Sequence, residues 1–341
     1  LTTTSPESIR TLTTAVVILN WNGVHLLEKF LPSVYKHSPQ ASIYVADNAS
    51  TDNSIPFLEQ HYSDIKIIRN TENGGYAKGY NDALQHIDAD IYCLLNSDVE
   101  VTENWLVPII ERFQQNSKVA AIQPKILDYK RKNYFEYAGA AGGYIDQLGY
   151  PYCRGRIFDT IEEDIGQYDD AVEIFWASGA CLFVRKHIFE DVGKLDEAFF
   201  AHQEEIDLCW RIKNHGYSIF YEGKSHVYHL GGATLSSMNP KKTYLNFRNS
   251  LFNLVKNCSG SKVILVLFIR MLLDGLAAIQ FVISGKIQHA VAILKAHFNF
   301  YLNFNTFRKK RKNFPIQKKY FTVSSVVWQY FILKHKYYNQ L

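Results

Sequence analysis

A chain of 341 residues, 47% hydrophobic and 21% charged, has an ordinary globular composition and is long enough for one large domain or two smaller ones. Its formal charge of +4 is divided. From Ser261 onward there are 13 basic residues against one acid, Asp274, whereas the first 260 residues carry 24 basic and 32 acidic ones. The five cysteines (Cys93, Cys153, Cys181, Cys209, Cys258) lack any paired spacing, which excludes a disulfide framework or a structural zinc site and fits a reducing cytoplasm.

Residues 1–13 are polar and rich in Thr and Ser, and read as an extended or disordered N-terminus without a signal peptide. Residues 14–20 form a β-rich apolar run that stops at Trp21-Asn22-Gly23, and a helical pattern follows to Tyr35. Residues 43–46 predict a second strand, ending in the polar run from Asp47 to Asp52. Residues 65–69 predict a third, followed by Asn70 and Gly74-Gly75. Residues 91–95 run straight into Asn96-Ser97-Asp98, as in a strand buried on both faces. A helix near Glu103 and a strand over 119–122 follow. Strands alternating with helices imply βαβ units in a parallel sheet, with the polar loops on one edge, where ligands bind in such sheets.

Past residue 125 the pattern loosens. Residues 129–170 read as an irregular insertion over the cleft, and 172–184 as a strand broken at Ser178-Gly179. Residues 204 to about 215 predict a helix ended by Gly216. A strand is expected over 217–221, ahead of residues 227–232, where His229 lies in a glycine-rich loop.

Several side chains can carry chemistry. Asp98, at a strand end, can hold a hard cation that bridges phosphates, or it can cap the following helix. Asp47 can accept from a ribose hydroxyl or a base, or form an Asx-turn. The glycine-rich segment 73–81 matches neither phosphate-loop fingerprint. Glu204 and Asp207 share a helix face, and Asp207 and Arg211 are spaced to pair. Glu205 projects elsewhere, either as a general base or as a complement to the helix dipole. His229 can ligate a metal or be structural.

The ordered series Leu-Asn-Trp-Asn, Val-Ala-Asp-Asn-Ala-Ser-Thr-Asp, Asn-Gly-Gly-Tyr-Ala-Lys-Gly-Tyr-Asn, Leu-Asn-Ser-Asp, Trp-Ala-Ser-Gly-Ala, Glu-Glu-Ile-Asp-Leu-Cys-Trp-Arg and Tyr-His-Leu-Gly-Gly resembles the family-2 inverting glycosyltransferases, most of all their bacterial rhamnosyltransferase-like branch. The resemblance covers residues 14–257. It implies an α/β GT-A fold, Rossmann-like, with a mostly parallel central sheet flanked by helices. It also implies a nucleotide-diphosphate sugar donor, a divalent cation (Mg or Mn) and a glycan or lipid-linked glycan acceptor. By position, Leu19, Trp21 and Asp47 would hold the nucleoside, Asn81 would support the loop near the phosphates, and Asp98 and His229 would ligate the metal. Asn96 stands where the family motif has its first Asp, and Glu205 where the family base is usually Asp. Trp176 and Gly179 would line the acceptor side, since an aromatic face suits sugar C–H surfaces and Gly admits close approach. Two other readings are a nucleotidyltransferase, which would release pyrophosphate, and a non-catalytic nucleotide-sugar or glycan-binding protein.

Residues 258–341 read as a basic, amphipathic helical extension. The window 263–285 is the most apolar, yet it contains Arg270, Asp274 and Gln280. A central charge costs about 2.5 to 3.5 kcal/mol on insertion scales, so the window reads as an amphipathic helix and not a span. With the basic run Arg308-Lys309-Lys310-Arg311-Lys312 it would suit an anionic membrane surface, which places the protein on the inner face of the cell membrane. A packing element or homodimer interface is the competing reading. Nucleic acid is not expected, because no binding motif accompanies the charge.

Overall fold

The computed structural model describes residues 12–231, 239–258, 263–311 and 320–341. The N-terminal expectation for residues 1–11, the second glycine after His229 and Lys312 of the basic run lie outside them.

The chain opens with β1 (Thr14–Asn20), α1 (Val24–His37), β2 (Ser42–Asp47), α2 (Ser54–His61), β3 (Lys66–Arg69), α3 (Gly75–Leu84) and β4 (Ile91–Asn96). β4, β1, β2 and β3 lie side by side and parallel, as the alternation predicts. Both faces of these strands are covered. Ala15 and Val17 point into one layer with α3, while Val16 and Ile18 point into the other with α1. Two buried faces explain why the sequence shows continuous apolar runs in place of alternation.

Beyond β4 the sheet becomes mixed. A turn over 103–106 separates β5 (Val99–Val101) from α4 (Val107–Gln115), so the helix expected near Glu103 starts later. β6 (Val119–Asp128) follows. Residues 129–170 are not irregular: β7 (Gly143–Ile145), β8 (Pro151–Cys153), β9 (Arg156–Ile157) and β10 (Thr160–Ile161) build a second, four-stranded antiparallel sheet. The strand expected over 172–184 is two strands. β11 (Ala171–Ile174) pairs at the far edge, and β12 (Cys181–Arg185) inserts antiparallel between β4 and β6.

α5 (Lys186–Asp191) and α6 (Glu204–Asn214) lead to β13 (Ser218–His229), which continues past the strand expected over 217–221, around an irregularity between Glu222 and His226, so that His229 ends a strand and does not lie in a loop. Three helices complete the fold: α7 (Pro240–Asn257), α8 (Val263–Ile283) and α9 (Ile287–Lys310). α7 docks on α6 and α9 docks on α7, where Phe252 and Phe307 stack with centroids 3.6 Å apart. The C-terminal segment returns to the small sheet. Val323 and Val326 pack with Tyr152 and Ile157, and the Val326 N–H donates to Asp146 Oδ2 at 2.9 Å.

Candidate active site

Strand register assembles the polar loops. In the sheet Asn20 lies beside Asp47 and Leu19 beside Asn96, so the ends of β2, β1 and β4 form one row at neighbouring-strand spacing of about 4.8 Å. At the start of this row Asp47 is buried. Its Oδ1 accepts from Asn20 Nδ2 at 3.1 Å and its Oδ2 from the Ser50 N–H at 2.9 Å, an Asx-type turn that holds the loop. Trp21, just past the end of β1, has half its surface exposed, and Leu19 is partly buried. Asn48, Asn70 and the Gly75 and Gly79 carbonyls extend the same polar lattice under α3.

The other end of the row holds the charged pair. β5 pairs antiparallel with β13, setting Val99 opposite His229, so Asp98 is brought against the imidazole. Asp98 Oδ1 lies 3.1 Å from His229 Nε2, and Asn96 Nδ2 lies 3.5 Å from the same nitrogen. On the far side of the ring Glu136 Oε1 is 3.5 Å from Nδ1. Burial alone would push the His229 pKa down, but the Glu136 and Asp98 carboxylates raise it to about 10. Burial would likewise raise Asp98, yet the neighbouring His229 holds it below its usual value. Asp98 therefore caps no helix.

Among the described residues no group of three or more His, Cys, Asp or Glu is arranged to hold a metal ion. The donors present are a carboxylate and an imidazole nitrogen that already converge, with an amide beside them. Once His229 gives up its proton, that set would fit a divalent cation that takes its remaining ligands from substrate phosphates, as Mg sites commonly do. Glu136 sits where a carboxylate orients a ligating histidine through its second nitrogen.

α6 brings three acids into its first turn, and their environments separate them. Asp207 is fully buried but accepts from Arg211 Nε (2.9 Å), Lys256 Nζ (2.8 Å) and Asn257 Nδ2 (2.8 Å). Against the cost of burial, the Arg211 and Lys256 cations hold it far below the usual range. Glu204 is buried with its Oε2 unpartnered, and burial, reinforced by Glu205, pushes it well above the ordinary value. Glu205 is partly exposed, and burial raises it to about 7.

The loop ahead of α6 is strained. Phe200, His202 and Gln203, none of them glycine, have φ of 65°, 67° and 71°. α7 secures it: Asn249 Nδ2 lies within 3.1 Å of the carbonyl oxygens of Phe199, Ala201 and His202, and Asn253 Nδ2 donates to the Gln203 carbonyl at 3.1 Å. α3 secures it from the other side, since the Tyr76 N–H donates to the Phe200 carbonyl at 2.9 Å. Gly75, at φ 79°, is required there, because a Cβ would lie 2.5 Å from that carbonyl oxygen. Asn81 ties α3 to the same region through the Leu195 backbone (2.9 Å) and Glu197 (3.1 Å).

Continuous bonding links this loop to the strand row. Tyr76 Oη donates to the Gly179 carbonyl at 2.7 Å, and the next carbonyl, Ala180, accepts from the Asn96 N–H at 3.0 Å. Gly179 is thus a close-approach glycine, but what approaches is Tyr76. Trp176 requires a correction. It is 3% exposed, its ring lies against Gly143, and its Nε1 donates to the Tyr144 carbonyl at 2.8 Å, so it offers no face to an acceptor. Tyr76, Glu136, Asn249 and Asn253 carry no signal for these roles in the sequence; only the glycine-rich motif pointed to the neighbourhood of Tyr76.

The family model described as "Glycosyl transferase family 2" matches residues 15–193. The chain belongs to that family. This family-2 glycosyltransferase is 25% identical over 230 residues to an N-acetylglucosaminyl-diphospho-decaprenol L-rhamnosyltransferase of Mycobacterium tuberculosis, covering 63% of the chain and 75% of the relative. It is 24% identical over 211 residues to a low-salt glycan biosynthesis hexosyltransferase of Haloferax volcanii, covering 60% of the chain and 63% of the relative. Among solved structures, GalNAc-T7 with UDP, GalNAc and Mn2+ aligns with TM-score 0.59 at 14% identity, over 87% of this chain but only 58% of that one. The Pyrobaculum calidifontis mannosyltransferase with GDP-Man and Mn2+ aligns with TM-score 0.50 at 12% identity, over 89% and 84%. These likenesses establish the GT-A fold for this glycosyltransferase. The family match ends before α6, so Glu205 and His229 stand on the geometry above.

Proposed function

We propose that this glycosyltransferase moves a sugar, with inversion, from a nucleotide-diphosphate sugar to a hydroxyl of a lipid-linked glycan. The observation that carries this reading is the unbroken link from Asp98–His229 through Asn96, Ala180, Gly179, Tyr76 and Phe200 to the loop that presents Glu205. It joins a site able to hold a diphosphate to a carboxylate poised to accept a proton at neutral pH.

Trp21, Leu19 and the Asp47 loop would hold the nucleoside, Asp47 having spare lone pairs after its two internal bonds. Asp98 and His229 would hold the divalent cation, with Asn96 contributing no charge. When bound, such an ion neutralises charge on the departing diphosphate. Glu205 takes the proton of the acceptor hydroxyl as that oxygen attacks the anomeric carbon on the face opposite the leaving group. Single displacement from the opposite face inverts the centre, the logic shared with inverting glycosidases. Glu204, buried and held neutral, adds no second charge beside the base. The lipid-linked acceptor is inferred from the name of the mycobacterial relative.

The test is a screen of nucleotide sugars with Mg²⁺ or Mn²⁺ by thermal shift, followed by product analysis with the donor that raises Tm. Release of a nucleoside diphosphate and a hundredfold or greater loss in Glu205→Gln, with donor binding intact, is expected, a general base being worth about 10² to 10⁴. Release of pyrophosphate would assign a nucleotidyltransferase, and undiminished transfer by Glu205→Gln would remove the base.

A further inference from the structure

By length and composition α8 could cross a membrane, with 21 residues and a mean hydropathy of 2.1. Its two charges forbid that arrangement in this fold. Arg270 and Asp274 are both buried and paired at 2.8 Å. Arg270 also donates to Ser250 Oγ on α7 (2.9 Å) and to the Leu148 carbonyl (3.3 Å), and its guanidinium lies 3.6 Å from the Tyr150 ring centroid. Asp274 accepts from Tyr150 Oη (3.1 Å) and lies 3.1 Å from His297 Nε2 on α9. One side of α8, from Val266 to Asp274, is therefore bonded to the folded protein and cannot be surrounded by lipid.

The other side has no protein partner among the described residues. Phe268, Leu272, Leu276, Ile279 and Ile283 form an exposed stripe at i+3 and i+4 spacing that contains no charge. α9, across the turn at 284–286, adds an exposed stripe of Val291, Leu294, Phe298 and Leu302. Two exposed apolar stripes on neighbouring helices of one hairpin mark a docking surface. Its charges are of one sign. Lys286, Lys295, Arg308 and Lys309 are exposed, and the only acid after residue 262 is the buried Asp274. Of the expected basic run, Lys310 is occupied by Asp196 at 2.6 Å and Arg311 by the Val255 and Cys258 carbonyls.

We propose that the α8–α9 hairpin is a monotopic membrane anchor that lies in the plane of an anionic bilayer, its apolar stripes in the acyl boundary and those cations at the headgroups. An apolar helical face with cations and no acids is the composition of an in-plane helix. A second copy of the chain fits less well. A twofold interface would set this face against itself, cation against cation with no acid to pair. The proposal does not depend on which sugar is moved, or on sugar transfer at all.

The experiment is co-sedimentation of the full chain with phosphatidylcholine vesicles, with and without 30% phosphatidylglycerol, beside the double variant Leu272→Glu/Ile279→Glu. Both sites are exposed, and an unchanged melting curve confirms folding. The wild type should pellet with the anionic vesicles at least tenfold more than with the neutral ones, less so at high salt, and the double variant should lose at least tenfold. A wild type that stays in the supernatant, or a variant that pellets equally, overturns the anchor. So does a dimer by light scattering that the double substitution dissolves without vesicle binding ever being seen.

Discussion

Tyr76 Oη and the Gly179 carbonyl oxygen are 2.7 Å apart, and this bond joins the glycine-rich turn of α3 to the start of β12 across 103 residues of sequence. The tyrosine is partly buried, and desolvation together with Tyr80 and the two α6 glutamates raises its pKa, so the hydroxyl remains a donor at all working pH. Tyr76→Phe leaves a carbonyl without its partner. A loss of about 1 to 3 kcal/mol is expected, measured as a lower urea midpoint with an unchanged slope.

Glu205 sets the pH response. With its pKa raised to about 7, kcat/KM should climb from pH 5.5 and level off above pH 8 as the base ionises. The stability effect has the opposite direction. A carboxyl whose folded pKa lies above its unfolded value stabilises while protonated, and that contribution is lost as pH rises through 7. Glu205→Gln should therefore melt higher than the wild type at pH 8, with the gap much narrower at pH 5 and closed only below the unfolded carboxylate value of about 4.3. Calorimetry at the two pH values decides, and an equal difference at both would contradict the assignment.

Asp207 behaves in the reverse sense. Its depressed pKa means that its contribution is complete at neutral pH and is lost only as pH falls below the unfolded carboxylate value, about 3.9. Asp207→Asn leaves Arg211 buried without its carboxylate and Lys256 with that of Asp196 alone, and a cost of about 3 to 5 kcal/mol is expected by denaturant titration.

Asn249 holds three carbonyl oxygens of a strained loop with one amide group. Asn249→Ala should lower kcat more than it raises the donor KM, because it loosens the loop that aims Glu205. Asn249→Asp should be worse, since a carboxylate would face three carbonyl oxygens. Steady-state kinetics on both variants check the order.

Glu136 faces the second nitrogen of His229, the histidine proposed to hold the cation. Glu136→Gln is expected to weaken Mn²⁺ binding by about 10- to 100-fold, read by calorimetric titration in the presence of the donor. Removing the metal with EDTA should abolish the thermal shift given by the nucleotide sugar in the wild type.

The strand ends were legible because local sequence encodes them: a doubly buried strand must be apolar, and small polar residues must follow where it leaves the sheet. That logic places Asn20, Asp47, Asn96 and Asp98 in one row. What escaped is non-local. Nothing near Trp176 reveals that Gly143 will lie against its ring. The strands of the second sheet are two or three residues long, too short for any periodicity. Phe200, His202 and Gln203 adopt left-handed backbone without a glycine to announce it, because α7 imposes the conformation. Within the basic run the same limit applies to Lys310, whose partner Asp196 is not visible from local sequence, whereas Arg308 and Lys309 stay exposed.

Lys256 bridges Asp207 of the catalytic helix to Asp196, and Lys310, at the end of α9, closes on the other oxygen of Asp196. The tail is thereby wired into α6 by charges that must be balanced as a set. A tail transplanted from another glycosyltransferase would have to bring a cation at position 310, or be matched by a neutral residue at 196. Otherwise the hybrid carries a half-neutralised acid directly behind the helix that bears Glu205. In this enzyme the C-terminal hairpin and the α6 end of the GT-A domain cannot be exchanged as independent modules.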